Sequence, residues 1–286
     1  MMPFLVDSHY HLDFLRPASL RLLFLQELEK RKVGILAQTL LPGDFLRERS
    51  ALSESEGRGP SRHLLALGFH PWWIPGEEER QRALLQFQEG LPLTPYIGEI
   101  GLDFSPRRKA QAEEAVQVAL LGRELFAMKR VGRRSVQGRD WVLSLHVVRA
   151  ADPLLALLEE AKKDLSFFPI FHHFTGTSDQ LTRLIRLGGG ISIHPRMLAT
   201  KKGRAYVCQV PGDRLLLETD LPKQEMEDRD RVPHAVLERE AAELADKHRQ
   251  TLEELVAGIE ALRGGNFMQQ LQENQRRIFG ENLGSR

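Results

Sequence analysis

Two imidazoles stand two residues apart near the start of the chain, in Asp7-Ser8-His9-Tyr10-His11-Leu12-Asp13, where a short apolar run ends. In an extended backbone residues i and i+2 point to the same side, so His9 and His11 can reach one metal ion together. Taken alone, the pair reads equally well as one buried and one exposed histidine. Further along, similar residues close other apolar runs: His70, Glu99, His146, His172-His173, His194 and Glu218-Thr219-Asp220. Seven of the ten histidines (9, 11, 70, 146, 172, 173 and 194) lie at such ends. Incidental placement would scatter more of them over helical segments.

Carboxylates and imidazoles without a thiolate suit Zn²⁺, Mn²⁺, Mg²⁺, Ni²⁺ or Fe²⁺ and favour catalytic over structural use. The arrangement these residues suggest holds two divalent ions. His9, His11 and Asp220 would bind one, His146 and His172 the other, with Glu99 as the bridge. A bridging carboxylate keeps two cations about 4 Å apart, a spacing at which both act on one phosphoryl or carbonyl centre. One ion would supply hydroxide from a bound water while the other polarises the substrate. Asp220 would also accept the water's proton.

Other residues carry two readings each. Asp7 shares the parity of His9 and is expected deeper, either hydrogen-bonding the far nitrogen of a ligand histidine or capping a layer of side chains. His70 precedes Pro71 and the Trp72-Trp73 pair. It reads as a catalytic or substrate-side group, or as a histidine packed beside an aromatic plug. The tryptophans stack a base or pack the loop. Arg149, His194, Lys201 and Lys202 are candidate substrate contacts, and Arg204 extends that basic cluster, which a solvated helix face explains as cheaply. The basic stretch from Lys129 to Arg139 reads as surface or partner contact.

Positioning so many reactive residues at run ends calls for an α/β arrangement. Strands are expected at Phe4–His9, Gly34–Thr39, Leu64–Gly68, Tyr96–Gly101, Trp141–His146, Phe168–His172, Gly190–His194 and Arg214–Thr219. Helical patterns lie between them at 17–32, 44–56, 76–89, 107–130, 152–163, 177–187 and 196–209. Asp152 with Pro153 signals one helix start, and Thr177 with Gln180 another. After the eighth strand come helices over Pro233–Lys247, over Thr251–Leu262 with Glu254 completing a capping box, and over Asn266–Phe279. Eight such units suggest a TIM (β/α)₈ barrel of the metallo-dependent hydrolase type with extra C-terminal helices, whose strand C-termini gather at the catalytic face. A doubly wound open sheet is the alternative. One domain over 1–286 is the simplest organisation.

A chain of 286 residues can bury a large core, and 42% apolar with 28% charged residues describes an ordinary globular protein. The net charge of +1 gives no global basic signal, so nucleic acid would bind only through a local patch. One cysteine, Cys208, excludes an intrachain disulfide framework and a thiolate metal cluster. Without an 18-residue apolar run or a signal-type N-terminus, a cytoplasmic protein that does not meet a membrane is expected.

The motifs resemble those of the TatD family of metal-dependent DNases, in the amidohydrolase superfamily. The opening heptapeptide, Gly68-Phe69-His70-Pro71, Ile97-Gly98-Glu99-Ile100-Gly101-Leu102-Asp103, His172-His173-Phe174-Thr175-Gly176 and Leu217-Glu218-Thr219-Asp220-Leu221-Pro222 all match its pattern. The closing helix, with Asn274 and Phe279, is also similar. The resemblance runs from about 4 to 281. It implies a TIM barrel, metal ligands at His9, His11, Glu99, His146, His172 and Asp220, and hydrolysis of DNA phosphodiesters, often from the 3′ end. Two features depart from the family. Arg149 follows His146 one residue later than usual, and Ser192-Ile193-His194-Pro195-Arg196 replaces a small-residue ending. These departures look like a divergent branch that includes TatD-like nucleases of anti-phage defence systems.

Three functions follow. The first is a two-metal 3′–5′ exodeoxyribonuclease acting on single-stranded DNA or 3′ ends, with Zn, Mg, Mn or Ni. The second is a metal-dependent hydrolase of a small phosphoester, ester or amide. The third is a weakly active barrel subunit with protein partners in a defence or repair assembly, and the complete ligand set argues against it.

Overall fold

The computed structural model describes residues 2–55, 63–135, 137–227, 229 and 232–280. Eight strands build one parallel sheet: β1 (Leu5–Tyr10), β2 (Val33–Ala37), β3 (Leu64–Leu65), β4 (Tyr96–Asp103), β5 (Trp141–Val148), β6 (Phe167–His172), β7 (Gly190–Ile193) and β8 (Leu215–Leu217). Their order is β3-β2-β1-β8-β7-β6-β5-β4. Past the short β3, Leu67 bridges in parallel to Ile97 of β4, so the two ends of the order also meet. Helices alternate with the strands: α1 (Ala18–Lys30), α2 (Pro42–Ser55), α3 (Glu77–Gly90), α4 (Pro106–Lys109), α5 (Glu114–Val131), α6 (Ala151–Ala161), α7 (Ser178–Arg186), α8 (Pro195–Ala199) and α9 (Lys201–Gln209). Two more, α10 (His234–Arg263) and α11 (Phe267–Phe279), follow β8. This is the expected (β/α)₈ metallohydrolase fold with extra C-terminal helices.

Strands buried on both faces read as near-continuous apolar runs, as β8 (Leu215-Leu216-Leu217) does here. All six residues of β1 are buried, including Asp7, Ser8 and His9. Polar groups in such a strand need partners, and their partners define the chemistry below.

The chain divides into two compact units. The first runs to Ala37 and resumes from Ser192; it contains β1, β2, β8, α1 and α8–α11. Within it α10 packs on α1, and Arg249 of α10 donates to the carbonyls of Pro3 and Arg31. Asn274 of α11, 1% exposed, donates to the carbonyls of Gly212 and Leu215, tying the last helix to the entry of β8. The second unit holds α2–α7 and β4–β6.

Several local expectations are corrected. β3 spans two residues rather than five. The helices expected at 107–130 and 196–209 are each two, because Gln111–Glu113 and Thr200 break them. The two helices expected between 233 and 262 are one, of about 45 Å at the usual rise. Thr251 is interior there; its hydroxyl donates to Lys247 O instead of capping, so the Thr251–Glu254 box does not form. Asp152 lies in the first turn of α6 and bonds Arg183 and Gln180; Ala150 holds the cap position. The Thr177–Gln180 capping box is present at α7. No helix among the described residues is long and apolar enough to cross a membrane.

Candidate functional site

In the second unit, the strand ends bring three imidazoles to one carboxylate oxygen. Glu99 on β4 is 2% exposed. Its Oε1 lies 2.7 Å from His146 Nδ1, 2.9 Å from His172 Nε2 and 3.2 Å from His70 Nε2. His146 Nδ1 and His172 Nε2 are 3.4 Å apart. Ligands of a tetrahedral zinc ion with bonds near 2.05 Å stand about 3.3 Å from one another. The Glu99–His146–His172 triangle, with edges of 2.7, 2.9 and 3.4 Å, therefore has the donors and separations of one face of a divalent-cation site. The residues fit the ion the sequence implies.

His70 plays a different part. It caps the turn Pro71–Trp73, and its Nδ1 accepts the backbone N–H of Trp72 at 3.0 Å. A neutral ring with an accepting Nδ1 carries its proton on Nε2, so His70 faces Glu99 as a hydrogen-bond donor.

Asp103 completes this group. His146 Nε2 lies 3.2 Å from Asp103 Oδ2, and the same oxygen accepts from Trp72 Nε1 at 2.6 Å. Ser105 N donates to Oδ1. Burial pushes the Asp103 carboxyl up, but the hydrogen bonds from His146, Ser105 and Trp72 outweigh it and hold the group well below the usual range. Burial likewise lowers His146, and its bonds to Asp103 and Glu99 reverse the sign and raise it. A carboxylate behind a ligand histidine fixes the ring and leaves the other nitrogen for metal. Sequence reasoning missed Asp103, although a second carboxylate four residues beyond Glu99 is a signal that could have found it.

Glycines let these strands approach. At Gly101 φ is +142°, and a Cβ would stand 2.1 Å from His146 O. At Gly68 a Cβ would lie 1.7 Å from Thr39 O. The motif glycines beside Glu99 and His70 are thus steric requirements.

In the first unit, Asp220 Oδ1 lies 3.8 Å from His9 Nε2 and 3.4 Å from His11 Nε2. His9 belongs to β1; His11 has left it, with φ −93° and ψ 76°, and stacks on Phe14. The pair converges on Asp220 across this irregularity and not by simple strand parity. Asp220, three residues past β8, adopts φ +55°, and its backbone N–H donates to His9 O. Both imidazole nitrogens thus stand within 4 Å of one carboxylate oxygen.

Asp7 braces this cluster through the backbone. Its Oδ1 accepts from the N–H groups of His9 and Thr219, and its Oδ2 from the Thr219 hydroxyl at 2.6 Å. Of the two expected roles, ring orientation is thus replaced by holding the main chain on either side of the ligands. His248 of α10 reaches the same Oδ2 at 3.3 Å. Burial pushes Asp7 up to about 7, against the bonds from Thr219 and His9, and pushes His248 down to about 3, with His63 adding to that. The contact joins the carboxyl to a neutral imidazole. Nothing in the local sequence around His248 announces this partner.

The remaining candidates sit on their own elements. Arg149, exposed and with φ +55°, follows β5 and is not drawn into the Glu99 group. His194 caps α8 with its Nδ1 accepting from Arg196 N at 3.0 Å, the same geometry as His70. Lys201 and Lys202 are exposed in the first turn of α9, Lys202 with its ammonium 5.6 Å from the Tyr206 ring. Arg204 donates to Leu198 O. In the basic stretch before β5, Lys129 pairs with Asp164 and Arg134 with Asp140.

A family model described as TatD related DNase matches residues 6–280. The human "Deoxyribonuclease TATDN3" is 30% identical over 234 residues, covering 76% of this chain and 78% of its own. A Rahnella "3'-5' ssDNA/RNA exonuclease TatD" is 28% identical over 205 residues, covering 69% and 72%. The crystal structure of YJJV, a TatD homologue of Escherichia coli, superposes with a TM-score of 0.70 at 25% identity, over 97% of this chain and 98% of that one.

Proposed function

Because the chain belongs to the TatD related DNase family, we propose that it is a divalent-metal-dependent nuclease that hydrolyses DNA phosphodiesters from the 3′ end of single strands. The observation that carries this reading is the meeting of His146 and His172 at Glu99 Oε1, with the edges of a ligand triangle. The Rahnella relative is described as a 3′–5′ exonuclease on single-stranded substrates, which supports the polarity. The proposal rests on the family and not on a defence-system branch.

In this reading residues 1–286 form one hydrolase domain with two divalent cations of the Zn, Mg, Mn or Ni class. His146, His172 and Glu99 hold one, and His9, His11 and Asp220 hold the other. Such cations lower the pKa of a bound water and polarise a phosphoryl oxygen. Asp220, with its side chain 29% exposed, is the carboxylate open enough to accept the attacking water's proton. Glu99 is sealed from solvent, and its work is to hold the imidazoles in place. The His70 Nε2–H fixes the Glu99 carboxylate, and His194 presents the same type of donor. Arg149, Lys201 and Lys202 serve as phosphate contacts.

The test is cleavage of 3′-labelled single-stranded and duplex DNA with added metal, for the wild type beside Glu99→Ala and Asp220→Ala. Shortening from the 3′ end that disappears in both variants is the expected result. Stoichiometric metal binding with turnover of small phosphoesters but none of DNA would overturn it.

A further inference from the structure

The turn after His70 exposes two indoles, one of them under an arginine of α4. Trp72 is 38% exposed and Trp73 51%. Trp72 is fixed twice over: its Nε1 donates to Asp103, and the Arg108 guanidinium carbon lies 3.8 Å above its ring. Its ring centroid stands 5.1 Å from that of His70 and 5.4 Å from that of His146. The turn is therefore anchored directly to the Glu99 cluster. Arg108 belongs to α4, whose sequence Pro106-Arg107-Arg108-Lys109 begins three residues after Asp103. Arg107 is exposed, Arg108 bonds Gln111, and Lys109 pairs with Glu114.

The packing of Trp72 is explained by these partners. Trp73 follows it on the same turn with half its surface in water. A flat exposed ring, one residue from a ring that carries the Arg108 guanidinium and touches the metal-site histidines, has the chemistry on which single-stranded nucleic acid stacks a base, and the exposed Arg107 of α4 is a cation for its phosphate. We propose that Trp73 and Arg107 form a stacking subsite for one nucleotide of single-stranded DNA, with Trp72 and Arg108 as its rigid support. The subsite rests on the nuclease reading above and names the feature that makes the substrate a nucleotide chain instead of a bare phosphodiester. Stacking is tolerant of sequence, so no base preference is expected.

Binding tests the subsite apart from turnover. The full chain, held in chelator so that nothing is cleaved, is titrated with oligo(dT) and with an abasic oligonucleotide of equal length. Quenching of tryptophan emission is followed, and Trp141 is fully buried, so the change reports the turn. Trp73→Ala should weaken oligo(dT) binding about 5- to 100-fold, and Trp73→Phe should recover most of it. The wild type should bind the abasic strand about as weakly as Trp73→Ala binds either strand. Arg107→Ala should lower the slope of log affinity against log salt by about one. Equal affinity of wild type and Trp73→Ala for oligo(dT) would overturn the proposal, as would a wild type indifferent to loss of the bases. Metal-supplemented wild type acting on bis(p-nitrophenyl) phosphate but not on DNA would instead sink the nuclease reading.

Discussion

Acid should unfold this protein through a residue far along the chain from its reactive motifs. His248 lies inside α10, 3% exposed, between the rings of Tyr10 and Phe24 and the carboxyl of Asp7. Burial, with the nearby His63 second, lowers it from 6.5 to about 3. A base whose folded value is depressed stays neutral in the fold while the unfolded chain takes up its proton. The stability it confers is complete above pH 6.5 and is lost as pH falls toward about 3. A tenfold difference in proton affinity between the folded and unfolded chains is worth about 1.4 kcal/mol, so the full loss is roughly 5 kcal/mol, and at pH 5 it is about 2 kcal/mol. Replacement by glutamine keeps a neutral donor near Asp7 and removes the titration. Urea unfolding at pH 7, 6 and 5 should show the wild type losing about 2 kcal/mol more than His248→Gln over that range. Because the readout is a difference between two proteins, groups out of contact with His248 cancel, and Asp7, raised by burial to about 7, is the neighbour whose titration the substitution shifts as well. Parallel losses in both proteins would refute the reasoning, since the imidazole would then titrate alike in the folded and unfolded chains.

Two other substitutions follow from contacts already described. Gly101→Ala places a Cβ at φ +142° and 2.1 Å from His146 O, and it should lower stability by about 3 kcal/mol or more in urea unfolding; a change under about 1 kcal/mol would show that β4 and β5 can separate there at little cost. Asn274→Ala leaves the carbonyls of Gly212 and Leu215 without their donor and should cost about 2–4 kcal/mol, read from the denaturant midpoint at unchanged slope.

Strand ends were the most legible part of the sequence. Apolar runs interrupted by His, Glu or Asp pointed to His9, Glu99, His146, His172 and Asp220, because parallel strands need apolar residues on both faces; Glu99 and His146 lie within β4 and β5 and not at their tips. What escaped depends on partners distant in sequence. Asp103 is defined by His146, 43 residues on, and His248 by Asp7, 241 residues back. Local signals also misled where a second solution existed. Thr251-x-x-Glu254 has the spacing of a helix start, yet inside a continuous helix the threonine hydroxyl finds Lys247 O. The expected strand at Leu64–Gly68 shrinks to two residues because pairing beyond Leu65 reduces to one isolated bridge, Leu67 with Ile97, and bonds such as Thr39 Oγ1 to Ala66 O.

His70 and His194 each stand before a proline, and that proline has a consequence for proton traffic. Proline offers no N–H, so the ring nitrogen of the preceding histidine caps the next backbone amide instead, at 3.0 Å in both cases. Protonating that nitrogen would break the turn it holds. Neither ring can take a proton on one side and release it from the other. Each is a one-way donor whose tautomer is written into three consecutive residues. Moving His-Pro-Xaa to the tip of another strand should carry that fixed tautomer with it.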